Sequence, residues 1–276
     1  MIWGLVGKGS IPHVAKEARR ILHILESKDQ DVLVHHDLAE FITRPGSDMA
    51  HLDATVDLFI TVGGDGTILY AQQSTDKPVF GVNAGAIGFL AEVEPKEAGA
   101  GIDAILRGDY EVEERQKLAS SIDGTPIQHA VNEVTLQTRR IAKLIRFRVC
   151  VDGHELDTYR GDGIIVSTPT GSTGYSMSVG GPLVHPRVNG IILAPIAPFK
   201  LAARPWVVPG NGVIELTLLE RDSAQGIQQA RVVVDGQHGY DLATGATVTI
   251  QTGEKKARFV RLGEGFYDRV RHKLTR

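Results

Sequence analysis

The chain has 276 residues, 42% of them hydrophobic and 23% charged, with a net charge of −3. That balance implies a globular protein of one or two domains and gives no reason to expect nucleic acid or an anionic membrane as partner. The single Cys150 excludes an internal disulfide and fits a reducing compartment. No apolar run reaches the roughly 18 residues of a membrane span, so a cytoplasmic protein is expected.

In chain order, Ile2 to Val6 reads as a strand. Its apolar run precedes Lys8, which is the wrong order for a signal peptide. Apolar positions Val14, Ala18, Ile21, Leu22 and Leu25 have helical spacing. Val32 to His35 is a second strand, and Asp57 to Val62 and Val79 to Val82 are a third and a fourth. Strands alternating with helices predict a parallel α/β sheet with ligands at the strand C-termini. The ten histidines show no zinc-ligand spacing, and His35-His36 reads as a solvated pair.

The third strand runs into Gly63-Gly64-Asp65-Gly66-Thr67, and Thr67 to Gln73 looks helical. Strand, glycine turn and helix start make a phosphate cradle, because glycines allow close approach and the first helical N–H groups point at an anion. Asp65 is odd there. A carboxylate beside phosphate is costly unless it binds Mg²⁺ or a hydroxyl, and a plain N-cap is the competing reading. The turn has no lysine and is not a Walker-type loop. A second glycine-rich loop, Gly81 to Leu90, should lie beside the first; its glycines could serve only tight packing, and Phe89 could be core or could stack on a flat ring.

Near residue 110 the pattern changes to period two. Short strands are expected at Ala130–Leu136, Ile145–Val149, Gly163–Ser167, Gly212–Leu218, Arg231–Asp235 and Ala246–Ile250. Turns are expected at Asp123-Gly124, Asp152-Gly153, Asn211-Gly212 and Asp235-Gly236. This predicts an α/β domain over 1–110, a β-rich, all-β domain over 111–259 built as a sandwich or as layered sheets, and an amphipathic tail over 260–276 that packs back on the first domain. Asn132-Glu133 interrupts an otherwise apolar strand. Neighbours on a strand point to opposite faces, so at most one faces a given cleft unless a bulge intervenes, and a solvated strand end is the commoner meaning of such a pair. The run Ser167-Thr168-Pro169-Thr170-Gly171-Ser172-Thr173-Gly174-Tyr175 concentrates hydroxyls and glycines beside a flat ring, which suits sugar and amide groups better than a linker.

The ordered set Gly63 to Thr67, Gly81 to Phe89, Asn132-Glu133, and Tyr159-Arg160-Gly161-Asp162-Gly163 followed by Ser167 to Tyr175 resembles the NAD kinase family. The similarity extends from residue 57 through Gln237. The glycine turn alone also occurs in lipid kinases; the Ser167–Tyr175 run is the specific part. The resemblance implies phosphorylation of NAD, or NADH, at the adenosine 2′-hydroxyl to give NADP, with ATP or polyphosphate as donor and Mg²⁺ as the metal. It implies a two-domain NAD kinase-like fold and a homodimer or homotetramer that binds dinucleotide partly across a subunit contact.

By the same resemblance, Asp65 is the general base, and Gly63, Gly64 and Thr67 bind phosphate. Gly66 and Phe89 border the substrate. Asn132 and Glu133 bind adenine and ribose, and Thr170, Thr173, Gly174, Tyr175 and Ser178 surround the adenosine. Arg160 and Asp162 serve the nicotinamide side, and Ala197 and Gln237 are further pocket positions. No residue is assigned as a protein-built metal ligand. The chain departs from the family pattern at Ala84 and Ala86, where Thr and His are usual, at Phe199, where His is common, and at Gly174, where Ala is frequent. Two rivals are a lipid kinase, which needs an apolar groove that the hydroxyl-rich run argues against, and a non-catalytic NAD(H) sensor, which leaves Asp65 without a task.

Overall fold

The computed structural model describes residues 1–85, 88–220, 229–263 and 265–274. Two compact units divide the chain: Met1–Arg115 with Lys256–Arg276, and Gln116–Lys255. The first unit contains β1 (Ile2–Gly7), α1 (Pro12–Glu26), β2 (Asp31–His35), α2 (His36–Ile42), β3 (Gly46–Ser47), α3 (Met49–Thr55), β4 (Leu58–Gly63), α4 (Asp65–Ser74), β5 (Val79–Asn83), α5 (Ala98–Arg107) and the start of β6 (Glu111–Ile122). The second holds the rest of β6, then β7 (Thr125–Pro126), β8 (Glu133–Thr138), β9 (Ile145–Val151), β10 (His154–Gly161), β11 (Gly163–Ser167), α6 (Tyr175–Ser178), β12 (Gly190–Ile196), β13 (Trp206–Pro209), β14 (Ile214–Leu218), β15 (Ala230–Val234) and β16 (His238–Leu242). The unit boundaries fall inside β6 and β17 (Thr247–Arg261), and α7 (Phe266–Leu274) belongs to the first unit.

In the first unit β5, β4, β1, β2 and β3 lie side by side and parallel, and the end of β17 joins β5 through Phe259 opposite Val79. This is the expected α/β architecture. Pro12 opens α1, where its missing N–H costs nothing. The spacing Val14, Ala18, Ile21, Leu22 and Leu25 turns one face of α1 onto the sheet. Full burial of each of the four larger side chains contributes about 1.5–3 kcal/mol. The register sets Gly7 opposite Val62 and Gly63 opposite Asn83, so the C-terminal ends of β1, β4 and β5 form one edge.

The second unit is the expected sandwich. One sheet runs β13-β12-β11-β8-β15-β16, all antiparallel. Facing it, β10, β9, β14 and the first part of β17 pair antiparallel. Alternate residues of both layers, such as Val134, Leu136 and Val166 from one and Phe147, Leu216 and Val248 from the other, form a single core.

Two local expectations need correction, and the four expected turns are present: Asp123-Gly124, Asp152-Gly153 and Asp235-Gly236 turn with positive φ at both residues, and Asn211-Gly212 turns without it. There the Gly212 N–H donates to the Pro209 carbonyl at 3.0 Å, which closes a turn without left-handed backbone. The last strand extends 11 residues beyond Ile250, through the charged stretch Glu254-Lys255-Lys256. His35 is buried rather than solvated, with Nε2 3.3 Å from the Tyr70 hydroxyl, and burial lowers its pKa; only His36 is exposed.

Candidate active site

β4 delivers the glycine turn. Gly63 has φ +156°, and a β-carbon there would collide with the Thr67 hydroxyl. Gly64 is the N-cap of α4, and a β-carbon at Gly64 or Gly66 would meet nothing within 4 Å. The turn therefore has an open face at a helix N-terminus, the arrangement that admits an anion closely.

Asp65 is not the cap. It is the first helical residue, and its side chain reaches out to the second glycine loop: Oδ2 accepts the Phe89 N–H at 2.7 Å and Oδ1 the Leu90 N–H at 3.0 Å. Two charge-assisted bonds to a fixed loop are stronger than one bond back to a flexible helix end. The two loops lie together as expected. The Ala84 N–H donates to the Gly63 carbonyl at 3.0 Å, and a β-carbon at Gly85 would lie 3.3 Å from the Gly64 nitrogen. Phe89 is half-buried, with the Lys273 ammonium 5.4 Å from its ring centre. Ala84 is buried, whereas Ala86 lies outside the described residues.

In the β unit the organiser is Asp235, which the sequence presents only as part of a turn. Its Oδ2 accepts the Val131 N–H at 2.8 Å, and its Oδ1 accepts those of Asn132 at 2.8 Å and Glu133 at 2.9 Å. β8 begins at Glu133, so Asn132 precedes the strand and the strict alternation of faces does not apply. Both side chains consequently reach the same place: Asn132 Nδ2 and Glu133 Oε2 are each 3.3 Å from where a Gly174 β-carbon would stand. The expectation that only one of the pair faces a given cleft is thereby overturned. Burial, with the Asp235 carboxylate adding to it, pushes the Glu133 carboxyl up to about 8.

The hydroxyl-rich run divides by use. Ser167 Oγ donates to the Thr168 carbonyl at 2.9 Å, Thr168 Oγ1 to that of Val131 at 2.7 Å, Ser172 Oγ to that of Val184 at 3.1 Å and Thr173 Oγ1 to that of Thr170 at 3.2 Å. These shape the turn Thr170–Thr173. By contrast, Asn132 Oδ1, Glu133 Oε2, Thr170 Oγ1 and Ser176 Oγ are buried without a hydrogen-bond partner. Such atoms are costly unless a polar ligand completes them. Tyr175 and Ser178 are exposed.

The remaining sequence candidates lie elsewhere on this unit. Arg160 is exposed, its guanidinium 5.6 Å from the Phe199 ring centre, and its carbonyl accepts the Phe199 N–H at 2.8 Å. The Asp162 N–H donates to the Ile196 carbonyl at 3.0 Å. Ala197 is exposed with φ +43°, and Gln237 is exposed just after the Asp235 turn. Gly88, which sequence reading treats only as possible packing, lies against Asp65. A β-carbon there would overlap the Asp65 carboxylate. The one available signal was a glycine immediately before Phe89.

Comparison with known proteins gives matches along nearly the whole chain. Residues 9–110 match the ATP-NAD kinase N-terminal domain and residues 131–262 the ATP-NAD kinase C-terminal domain. The NAD kinase of Thermoplasma acidophilum is 37% identical over 269 residues, 95% of this chain and 96% of that one. That of Methanothermobacter thermautotrophicus is 39% identical over 277 residues, covering 98% and 95%. Among solved structures, an NAD kinase from Archaeoglobus fulgidus in complex with ATP aligns with a TM-score of 0.77 at 31% identity, covering 100% of this chain and 98% of that one. Yeast NADH kinase complexed with NADH aligns with a TM-score of 0.92, covering 100% and 87%; at 24% identity it speaks to the fold alone. Neither the lipid-kinase nor the sensor reading is favoured by these matches. The chain belongs to the NAD kinase family, enzymes that phosphorylate NAD.

Proposed function

We propose that this chain transfers the terminal phosphoryl group of ATP to the 2′-hydroxyl of the adenosine ribose of NAD, with Asp65 as general base. The observation that carries the reading is a carboxylate at the start of α4, beside an open glycine turn, oriented by two backbone N–H groups. Each Asp65 oxygen accepts one bond from this loop, and a carboxylate oxygen has two acceptor positions. The second accepts the 2′-hydroxyl. As the hydroxyl oxygen bonds to phosphorus and the bond to the leaving diphosphate breaks, its proton passes to Asp65. Gly63, Gly64, Gly66 and Thr67 hold the donor phosphates. The α4 N-terminus favours their charge.

The adenosine is held by the β unit. The unpartnered atoms of Asn132, Glu133 and Thr170 supply its hydrogen bonds, and Tyr175 supplies apolar surface. With its carboxyl titrating near 8, Glu133 enters the complex protonated at neutral pH and can donate as well as accept. Thr173, Gly174 and Ser178 complete the wall, Phe89 borders the adenine, and Arg160, Asp162, Ala197 and Gln237 serve the nicotinamide half. In this reading residues up to about 110 with the tail handle phosphate, and residues 111–259 handle the dinucleotide.

A divalent metal fits as part of the donor rather than in a protein cage. Among the described residues the one group of three suitable side chains is His35, His36 and Asp37. It sits at the end of β2, with β1 between that strand and β4, and imidazoles suit softer ions than Mg²⁺. Mg²⁺ usually keeps its waters and binds through substrate phosphates plus one or two carboxylates, here Asp65 at most. Bound so, the metal would neutralise charge on the transferring phosphoryl. ATP is preferred over polyphosphate because a relative 31% identical was crystallised with ATP.

We further infer a homodimer or homotetramer, supported by the exposure of Phe199, Leu201 and Trp206 at 73%, 95% and 48% on the β unit. No described helix is long and apolar enough to cross a membrane, consistent with a cytoplasmic enzyme. The test is NADP formation by the purified protein with Mg²⁺ and NAD or NADH, using ATP or polyphosphate, read with an NADP-specific dehydrogenase. Product with ATP and NAD supports the reading. Bound NAD without product from any combination overturns it.

A further inference from the structure

The loop that orients Asp65 is itself anchored from behind. Leu90, whose N–H donates to Asp65 Oδ1, accepts at its carbonyl a bond from Arg261 Nη1 at 3.2 Å. Arg261 closes β17 and is 7% exposed. The same Nη1 donates to Glu92 Oε2 at 2.8 Å, while Nε donates to Glu113 Oε2 at 2.7 Å. Glu113 also accepts from Arg115 at 2.8 Å, and Glu92 also accepts the Leu262 N–H at 2.7 Å and a bond from Arg269 of α7 at 3.2 Å. The guanidiniums of Arg115 and Arg261 lie 4.9 and 5.1 Å from the Phe259 ring centre.

The resting chemistry of these groups suits a rigid anchor. Burial alone would raise the Glu113 carboxyl, but Arg115 and Arg261 outweigh it and hold the group at about 2. It stays ionised across the working range. A planar guanidinium with fixed donors locks three acceptors at once, which a lysine ammonium on a flexible stem does not reproduce. Nothing in the phosphate turn requires a buried arginine; among the described residues its link to that turn runs through Leu90.

We propose that Arg261 is a positioning residue for phosphoryl transfer: it fixes Leu90 from the carbonyl side, so that the Phe89 and Leu90 N–H groups hold the Asp65 carboxylate in its working orientation. The chain of contacts runs from α7 through Arg269 and Glu92 to Arg261, then Leu90, then Asp65. This rests on the reading of Asp65 as the base. A carboxylate freed from its amides disturbs only the bond to the 2′-hydroxyl and leaves the other adenosine contacts in place, so the loss falls mainly on turnover rather than on NAD binding.

The experiment compares wild type, Arg261→Met, Arg261→Lys, Arg269→Ala and Asp65→Asn in kcat, KM for NAD, NAD affinity by calorimetry, and hydrogen exchange of the segment containing Phe89 and Leu90. For Arg261→Met the expected result is a fall in kcat of about 30- to 100-fold, the scale of a misplaced catalytic group. NAD affinity should stay within about 3-fold, the scale of loss for a contact not touching ligand, and exchange at Phe89 and Leu90 should quicken. Arg261→Lys should restore part of the kcat, and Arg269→Ala should shift it in the same direction by less. If Arg261→Met does not fold, the Lys and Arg269 variants carry the same comparison. Unchanged kcat with Phe89 and Leu90 still protected overturns the proposal. So does an equal loss of affinity and kcat with exchange raised throughout the unit, which marks a structural role only. If Asp65→Asn turns over normally, the base assignment has failed separately, and the exchange at Phe89 and Leu90 still decides whether Arg261 holds the loop.

Discussion

Gly88 and Asp65 are packed so closely that a β-carbon on Gly88 would come within 2.5 Å of the Asp65 Cγ. The glycine is needed for space. Gly88→Ala must therefore push the carboxylate off the Phe89 and Leu90 amides or move the loop. A displacement of about 1 Å at a catalytic group costs on the order of 100-fold. Steady-state kinetics should show that loss in kcat, with NAD affinity nearly unchanged because most of the proposed adenosine contacts come from Asn132, Glu133 and Thr170, which this substitution does not touch.

Asp65→Asn keeps the size and the fold but cannot take a proton. Positioned general bases contribute about 10²- to 10⁴-fold, and a fall of that size in kcat is expected with NAD binding retained. Turnover near the wild-type rate would remove Asp65 from the base role.

Asp235→Ala leaves the Val131, Asn132 and Glu133 N–H groups without their acceptor. Each buried orphan costs about 1–3 kcal/mol before water and relaxation recover part of it. Urea unfolding should show a loss of about 2–4 kcal/mol, and calorimetry a weaker NAD complex, because the Asn132-Glu133 pair is no longer preset. Asp235→Asn retains a carbonyl acceptor and should lose less on both counts.

Glu133 makes the stability pH-dependent. Its carboxyl titrates near 8 when folded against 4.5 as a free group. At low pH both states are protonated and the group is neutral in effect. As pH rises through 4.5 the unfolded chain releases its proton while the folded protein keeps it, and the folded state loses stability until the folded carboxyl also ionises near 8. Glu133→Gln removes this loss. Thermal melts from pH 5 to 8.5 should show the variant gaining on wild type as pH rises, by an amount on the order of 1–3 kcal/mol. Parallel curves would refute the raised carboxyl.

Much of the architecture was legible because it is written locally. The strand Leu58–Gly63, its glycines and α4 follow from a short β-forming run and a turn that only glycine opens. Helical spacing gave α1, and alternation gave the sandwich strands. Asp-Gly and Asn-Gly marked four turns that are present, but not their hand: the three Asp-Gly pairs have positive φ and Asn211-Gly212 does not. β17 was read as five residues because its charged stretch Glu254-Lys255-Lys256 masks the pattern that pairing sustains.

The site residues were legible as types and not as partners. Asp65 was visible as an anomaly in a phosphate turn, and its residue type suits a base or a cap equally. The fold ruled out the cap by bringing the Phe89 and Leu90 amides to it across 24 and 25 residues. Asp235 meets Asn132 across 103 residues, and Arg261 meets Leu90 across 171. Sequence by itself determined the elements, their order and the family motif, because propensity and spacing act over a few residues. Tertiary packing alone decided which oxygen faces which N–H, because those distances depend on how separate strands are set in register.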